Sequence, residues 1–175
     1  PFWAKDISIG SRMINARSES VHEKPSFKQA LRKRRCIVPA DGFYEWKKTD
    51  AKTKIPHRIT LMKETLFSFA GLWDKYIDPD ENHIYSFTII TTSANEAIAP
   101  LHERMPVMLD QHAEDRWLDD SLDTHQHLEL LKPCDPTVIR TYPVSNMVNK
   151  PENDNPELIR ASAPSSGNGA PGFFD

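Results

Sequence analysis

Strand-like segments follow one another through the middle of this chain, and most of them are joined without a helical segment. Runs rich in aromatic and β-branched residues predict strands at 36–38, 42–46, 55–62, 66–73, 85–92 and 137–144. Parallel neighbours would need a crossover connection of roughly a dozen or more residues between each pair of strands. The sequence therefore predicts an α+β protein with a mainly antiparallel sheet, and not a doubly wound fold.

A few helices are expected to flank this sheet. Their apolar residues recur with helical spacing, as at Phe27, Ala30 and Leu31. The predicted helices are 27–34, 111–118 and 122–131, with Ser26, Asp110 and Ser121 as their respective N-caps. The sequence also predicts a strand end or loop at 13–19 and a short strand at 107–109. Pro39 is expected to stop the strand 36–38, and we expect a polar turn at 78–82 and a helical turn at 95–99.

The length of 175 residues is that of one domain, at roughly 100–200 residues per domain. We expect this domain over residues 1–162 and a flexible tail, rich in Pro, Ser, Gly and Asn, over 163–175. No long apolar run predicts a membrane span, and no basic-then-apolar leader opens the chain. Two cysteines, Cys36 and Cys134, cannot build a disulfide framework, so we expect a cytoplasmic protein with no membrane partner.

Positive charge is concentrated in one part of the chain. The net charge is −3, but residues 24–63 contain twelve Lys or Arg and only three acidic residues. Such a block can present one basic face, and a phosphate backbone is the usual partner of a basic face. A solvated helix end followed by a Lys-rich turn would give the same pattern, so charge alone leaves both interpretations open.

Several common functional motifs are absent from the sequence. It contains no Gly-x-Gly-x-x-Gly, no Walker loop and no Gly-x-Ser-x-Gly elbow. It also contains no Cys-x-x-Cys and no His-Glu-x-x-His, and its seven histidines lack the spacing of zinc ligands. We therefore expect no metal and no organic cofactor.

Three segments, 15–19, 34–46 and 91–106, place polar or titratable residues beside aromatic residues, Pro or Gly. A carboxyl group such as that of Glu45, between two aromatic residues, can have a pKa suited to proton transfer. A solvent-facing Glu on a half-exposed strand is the alternative. His102 is either an acid–base group or a hydrogen-bonded loop residue, and Asn15 either a site residue or a turn former.

The arginines and Trp46 allow two interpretations each. Arg17 and Arg104 could contact phosphates, or they could pair with the nearby acids Glu19 and Glu103. Trp46 could stack on a base, although core packing is the commoner role of Trp. Cys36 is more typical of a small core residue than of a nucleophile, since only the neighbouring arginines could lower its pKa, and Cys134 has no activating neighbour.

Five segments together resemble the SRAP family, named for SOS-response-associated peptidase. In family order they are Asn-Ala-Arg-Ser-Glu at 15–19, the segment 34–46 that ends in Gly-Phe-Tyr-Glu-Trp, Thr-Thr-Ser-Ala-Asn at 91–95, His-Glu-Arg-Met-Pro-Val at 102–107, and residues 144–154. The resemblance covers about residues 3–159. It implies an α+β fold whose mainly antiparallel sheet is curved or barrel-like.

The resemblance also implies a substrate and a reaction. SRAP proteins recognise an abasic site in single-stranded DNA, as part of the DNA damage response. A cysteine made N-terminal by removal of the initiator Met attacks the exposed aldehyde of the sugar. Its amine forms a Schiff base, its thiol closes a thiazolidine ring, and the DNA becomes covalently linked to the protein. No cofactor is implied, and we expect a monomer, associated with the nucleoid if the protein is bacterial.

Carried over residue by residue, the resemblance implies three catalytic residues. Asn15 would hold the sugar and the N-terminal cysteine, Glu45 would transfer protons, and His102 would assist Schiff-base formation and ring opening. The implied DNA-binding residues are Arg17, Trp46, Thr92, Ser93, Arg104, Met105 and Pro106.

The start of the chain departs from the family pattern. SRAP proteins begin Met-Cys-Gly-Arg, whereas this sequence begins Pro-Phe-Trp. Cys36 and Cys134 cannot substitute, because a thiazolidine needs an amine and a thiol on one residue. We expect several dozen further residues upstream, including the nucleophile. Two other functions stay open: a cysteine-type peptidase acting on other proteins, and a non-catalytic module that binds single-stranded DNA.

Overall fold

The structure is a computed structural model that describes residues 1–50, 53–63 and 65–162. The strands are β1 (Asn15–Arg17), β2 (Arg35–Ala40), β3 (Phe43–Lys48), β4 (Lys54–Leu61), β5 (Phe67–Ile77), β6 (His83–Ser93), β7 (Arg104–Pro106), β8 (Met108–Leu109) and β9 (Ile139–Pro143). The α-helices are α1 (Pro25–Lys33), α2 (Gln111–Leu118) and α3 (Thr124–Leu128). Short 3₁₀ helices cover Ile7–Arg12, Pro136–Val138, Asn146–Asn149 and Pro156–Ile159. The tail expected at 163–175 lies outside the described residues.

The strands form two sheets. In the first, the order is β1-β6-β5-β2, with β7 added to β6 and β8 to β5, and this sheet curls into a half-barrel. The second sheet has the order β3-β4-β9. The expected α+β class, with a curved, mainly antiparallel sheet and few helices, is confirmed. One pairing was not expected: β1 runs parallel to β6, so the first sheet is mixed.

Four local expectations differ from the structure. Strand β2 does not stop at Pro39 but continues to Ala40, because β2 lies at the end of the strand path, where Pro is tolerated. Helix α1 begins at Pro25, whose fixed φ suits a first turn, so Ser26 lies inside the helix and is not its cap. Helix α3 starts later than expected. Asp123 caps it in a capping box with Gln126, and Ser121 does not.

The short strand expected at 107–109 is β8, which covers only Met108–Leu109. Strand β7, just before it, was not expected, and the two pair with different neighbours. The last strand begins two residues later than expected, after a 3₁₀ turn capped by Asp135. The N-cap of α2, Asp110, and the turn at 78–82 are as predicted.

Two apolar clusters hold the sheets and helices together. The first lies between the first sheet and helices α1 and α2 and includes the fully buried Trp117 and Leu31. The second joins the two sheets and contains Ile59 of β4, Phe69 of β5 and Met105 of β7. The spacing between the two sheets therefore depends on apolar packing.

Gly42, just before β3, is expected to be intolerant of a side chain. A Cβ atom there would lie 2.9 Å from Nε of Arg58 and 2.9 Å from the carbonyl oxygen of Ile59. Because Arg58 is held by Asp41 and Tyr142, it cannot move away freely. We expect Gly42→Ala to lower the free energy of unfolding by about 1–3 kcal/mol, measured by urea denaturation.

Gly10→Ala is the matched control, since among the described residues no atom lies within 4 Å of a Cβ built there. Equal stability of the two variants would contradict the close approach at Gly42.

Candidate active site

A cavity of about 390 Å³ opens where β1, β3, β6 and the segment 102–106 meet. It brings together seven of the ten residues implied by the family resemblance, from three distant parts of the sequence. Its lining consists of Asn15, Arg17, Phe43, Glu45, Phe69, Ile89, Thr91, His102, Arg104, Met105 and Pro106. The three expected catalytic residues, Asn15, Glu45 and His102, are all among them.

Strand β1 directs two polar side chains into this cavity. Side chains alternate along a strand, so Asn15 and Arg17 share one face while Ala16 between them is buried. The parallel register places Asn15 beside Ile89 and Arg17 beside Thr91, and both of these residues line the cavity. The unexpected β1–β6 pairing is thus what brings Asn15 to the site.

Glu45 enters the cavity from the other sheet. It lies on β3 and shares a face with Phe43, whose ring packs edge-on against Phe69 below the cavity. The carboxyl side chain is only 21% exposed. Burial raises the pKa of Glu45 above its ordinary value, and attraction to His102 and a backbone hydrogen bond from Trp46 offset part of this rise. The pKa of this carboxyl group is therefore moved in the direction that favours proton transfer.

His102 faces Glu45 across the cavity. Its Nδ1 lies 4.0 Å from Oε1 of Glu45 and 3.1 Å from both the backbone nitrogen and the backbone oxygen of Arg104. A neutral ring can accept at Nδ1 from the Arg104 N–H, and a protonated ring can donate from Nδ1 to the Arg104 carbonyl. The imidazole therefore has a backbone partner in both protonation states.

The loop that carries His102 is fixed by Asn95. The Asn95 side-chain oxygen accepts from the backbone N–H of Ile98 at 3.1 Å, and its amide donates to the carbonyl of Cys134 at 2.9 Å. The Ile98 carbonyl in turn accepts from the backbone N–H of His102. The sequence predicts only a helical turn at Asn95, although this residue ends the Thr-Thr-Ser-Ala-Asn segment.

A second hollow of about 610 Å³ continues from the cavity and shares Glu45 and His102 with it. Trp46, Lys48 and Lys54 line this hollow. The indole nitrogen of Trp46 donates to Oδ1 of Asn149 at 2.7 Å. Glu45 and His102 thus stand where the cavity and the second hollow join to form one extended groove.

The two arginines of the cavity differ in their partners. Arg104 forms a bidentate ion pair with Glu19, with distances of 2.6 and 2.9 Å. This pairing lowers the pKa of Glu19. The Arg17 side chain is exposed and has no hydrogen bond or ion pair with the residues that the structure describes, although its positive charge also lowers the pKa of Glu19. Of the alternatives considered above, Arg104 thus pairs with an acid, and that acid is Glu19.

Three further residues of the implied DNA-binding set lie outside the cavity or are buried beneath its surface. Thr92 and Met105 are 4% and 1% exposed and face each other across the β6–β7 pair, although Met105 forms part of the cavity floor. Ser93 is exposed at the end of β6 but outside the cavity. Thr92 and Ser93 therefore lie outside the cavity, and Met105 contributes only to its floor.

Three arginines of the basic block at residues 24–63 form ion pairs within the fold. Arg34 pairs with Asp74, Arg35 with Asp120, and Arg58 with Asp41. The lysines of the β3–β4 hairpin are placed differently. Lys48 and Lys54 lie directly opposite each other and line the groove.

The sequence profile of one family, described as SOS response associated peptidase (SRAP), matches residues 1–151. The chain belongs to the SRAP family. The resemblance inferred from the five segments is thereby confirmed.

Named relatives agree with this membership of the SRAP family. The chain is 50% identical over 162 residues to the abasic site processing protein YoqW of Bacillus subtilis, a match that covers 92% of this chain and 72% of YoqW. It is 32% identical to the abasic site processing protein HMCES of Rattus norvegicus, over 91% of this chain and 53% of HMCES. A solved structure from Bacteroides thetaiotaomicron matches with a TM-score of 0.85 and 34% identity, over 93% of this chain and 73% of that one.

Neither cysteine of this SRAP chain lines the cavity. Burial raises the pKa of Cys36, and it raises the pKa of Cys134 to about 11. Both are thiols near neutral pH, so neither is an activated nucleophile. In the part of the chain that the structure describes, no group of three or more His, Cys, Asp or Glu could hold a metal ion. None of the helices in these residues is long and apolar enough to cross a membrane.

Glu45→Gln is expected to stabilise the protein at neutral pH. Above its raised pKa, the folded chain holds a desolvated carboxylate that the unfolded chain hydrates, and the amide removes this cost. Below the ordinary carboxyl pKa of about 4.3, Glu45 is protonated in both states and the cost is absent. Between the two pKa values the folded state binds more protons, so the stability of the unmodified protein falls as pH rises.

The measurement is the urea midpoint of both proteins from pH 4 to pH 8. The variant should be the more stable at pH 8, and its advantage should shrink as pH falls. A variant that is less stable at pH 8 would contradict the raised pKa.

Proposed function

We propose that this chain recognises abasic sites in single-stranded DNA and processes them through a thiazolidine link to an N-terminal cysteine. The main support is that Asn15, Glu45 and His102 line one cavity, which continues into a groove with lysines at its far end. The names of the relatives support the substrate class. The proposal includes removal of the initiator Met, action as a monomer, and a role in the DNA damage response.

The proposed link forms with the loss of one water molecule. The cysteine α-amine adds to the aldehyde carbon of the ring-opened sugar, and loss of the hydroxyl group as water gives a Schiff base. The thiol then gives up its proton and its sulfur adds to the same carbon. The C=N electron pair moves to the nitrogen, which takes up a proton and becomes the secondary amine of the closed ring. One proton must reach the departing hydroxyl group and one must leave the thiol.

Glu45 and His102 can supply and accept these protons. Their side chains lie 4.0 Å apart, so one water or a reacting atom between them can contact both. The raised pKa of Glu45 keeps its protonated form available nearer neutral pH, and the backbone of Arg104 accommodates either charge state of His102. Asn15 offers an uncharged amide at the cavity wall, which can hold a sugar hydroxyl without taking part in proton transfer.

The groove supplies contacts for neighbouring nucleotides. Lys48 and Lys54 are a directly opposed pair on β3 and β4, an arrangement of like charges that is unfavourable unless an anion lies nearby. Trp46 offers an aromatic side chain for base stacking, and Arg17 is an exposed cation inside the cavity. Single-stranded DNA fits this combination because it presents both phosphates and unpaired base faces.

The test uses the protein in a form that begins with cysteine, incubated with a single-stranded oligonucleotide that carries one abasic site. We expect a heat-stable band of lower mobility on a denaturing gel, and no such band with an intact oligonucleotide. Absence of the band with the abasic oligonucleotide would reject the proposal. Cleavage of unrelated peptides that is lost in Glu45→Ala and insensitive to DNA would favour the peptidase alternative.

Removing the two groove lysines is expected to weaken DNA binding through electrostatics. We expect the Lys48→Ala/Lys54→Ala variant to bind intact single-stranded DNA about tenfold more weakly at low salt. The plot of log affinity against log salt should become flatter by ~1.4, at about 0.7 for each lost phosphate contact. Fluorescence anisotropy at several salt concentrations measures both quantities.

Lys28→Ala, an exposed substitution on α1, is the control for net charge and should leave the slope unchanged. A slope that is equally steep in the double variant would place the DNA elsewhere.

A further inference from the structure

The ion pair between Glu19 and Arg104 occupies the cationic wall of the cavity. Nη1 of Arg104 donates to Oε1 of Glu19 at 2.6 Å and Nη2 donates to Oε2 at 2.9 Å. Nη2 also donates to the carbonyl oxygen of Thr91 at 2.7 Å and lies 3.4 Å from its hydroxyl oxygen. Nε is buried and has no hydrogen-bond partner among the described residues. The guanidinium group therefore has little capacity left for a further anion.

The two partners differ in how firmly they are held. The Arg104 side chain is 17% exposed and is fixed from below by the Thr91 carbonyl, which also accepts from the backbone N–H of Ser18. The Glu19 side chain is 54% exposed and lies just beyond the end of β1. Arg104 is thus anchored, whereas Glu19 can swing into solvent with little loss of packing.

A phosphodiester can replace this carboxylate. Both groups present two oxygens that match the paired N–H donors of a guanidinium in a bidentate contact. We propose that Glu19 acts as an internal competitor that occupies Arg104 in the unbound protein and is displaced by a DNA phosphate. This inference rests on the proposed function, since it assumes that single-stranded DNA enters the cavity beside Arg17 and Arg104.

The exchange has a consequence for selectivity. Because a phosphate must displace Glu19, the Arg104 contact adds less affinity than a free arginine would. Arg17, which has no such partner among the described residues, would make the first contact. Weak, salt-sensitive binding to intact DNA leaves the protein free to move, and the covalent step then supplies the lasting attachment at a lesion.

The test is a double-mutant cycle on binding of an intact single-stranded oligonucleotide, with Glu19→Gln, Arg104→Gln and the double variant. Glu19→Gln should bind about 3–10-fold more tightly at low salt, with a salt slope steeper by ~0.7. In the Arg104→Gln background the same substitution should have an effect of less than about twofold. Glu23→Gln, an exposed change of equal charge on the same segment, should also change affinity by less than about twofold.

Each other outcome has a distinct meaning. If the tightening persists in the Arg104→Gln background, long-range repulsion explains it and the exchange is rejected. If Glu19→Gln lowers the thermal midpoint but leaves affinity and slope unchanged, Glu19 serves only to position Arg104 and the exchange is again rejected. If the unmodified protein shows no salt-sensitive binding at all, the proposed function itself fails.

Discussion

Glu45→Gln is expected to slow formation of the covalent DNA link by about 10²–10⁴-fold, which is the usual contribution of a positioned acid–base group. The amide keeps the shape of the side chain and its place on β3, but it can neither donate a carboxyl proton nor accept one from the thiol. His102, at 4.0 Å from the lost carboxylate, would keep only its backbone contacts. The reduction should therefore appear in the chemical step and not in the binding of DNA.

Single-turnover measurements with cysteine-initiated protein and an abasic oligonucleotide give the rate of this step directly. Affinity for an intact oligonucleotide, measured in parallel, should change by less than about threefold. Glu96→Gln is the matched control, because Glu96 is an exposed Glu on the loop before His102 and does not line the groove. A Glu45→Gln rate within threefold of the unmodified protein would remove Glu45 from the proposed mechanism.

Arg35→Met is expected to lower the free energy of unfolding by about 3–5 kcal/mol, because three backbone carbonyls lose their donors at about 1–3 kcal/mol each. The Arg35 side chain is 3% exposed. Its Nε donates to the Trp117 carbonyl at 2.7 Å, and its Nη1 donates to the carbonyls of Leu31 and Arg32 at 2.9 and 3.0 Å. These carbonyls lie in the last turns of α1 and α2, so one guanidinium satisfies the ends of two helices.

Met fills much of the volume of Arg35 but leaves these carbonyls without donors. Urea denaturation measures the loss, and Asp120→Ala is the control. The Asp120 carboxylate also pairs with Arg35 but is 88% exposed, so its removal should cost less than about 1 kcal/mol. A loss below 1 kcal/mol in Arg35→Met would show that other donors or water can replace the guanidinium.

The fold was predictable where the sequence pattern is local. Strands β3 to β6 are rich in aromatic or β-branched residues, and the β3–β4 and β5–β6 pairs join neighbours in the chain. For β1 the sequence predicts only a strand end or loop, because three residues are too few for a periodic pattern. Its partner β6 lies more than seventy residues away, and no local signal fixes so distant a parallel pairing.

The charged residues were less predictable than the strands. The density of positive charge between residues 24 and 63 does not distinguish Arg35, which satisfies buried carbonyls, from Lys48, which is exposed at the groove. The site residues were found through ordered motifs, but their convergence depends on long-range pairing and packing. Glu19 lay within the first motif, yet its partner was identified only from the geometry of Arg104.

The cavity lies at the seam between two sheets that are hydrogen-bonded independently of each other. Asn15 reaches it from one sheet and Glu45 from the other, and the residues that connect the sheets beneath it are apolar. Dispersion and hydrophobic contacts have no strong directionality, so they permit small sliding movements that a continuous ladder would resist. A change of one methylene in Ile59, which packs in this cluster but does not line the cavity, is therefore expected to shift the distance between the Asn15 amide and the Glu45 carboxylate without altering any atom of the cavity wall.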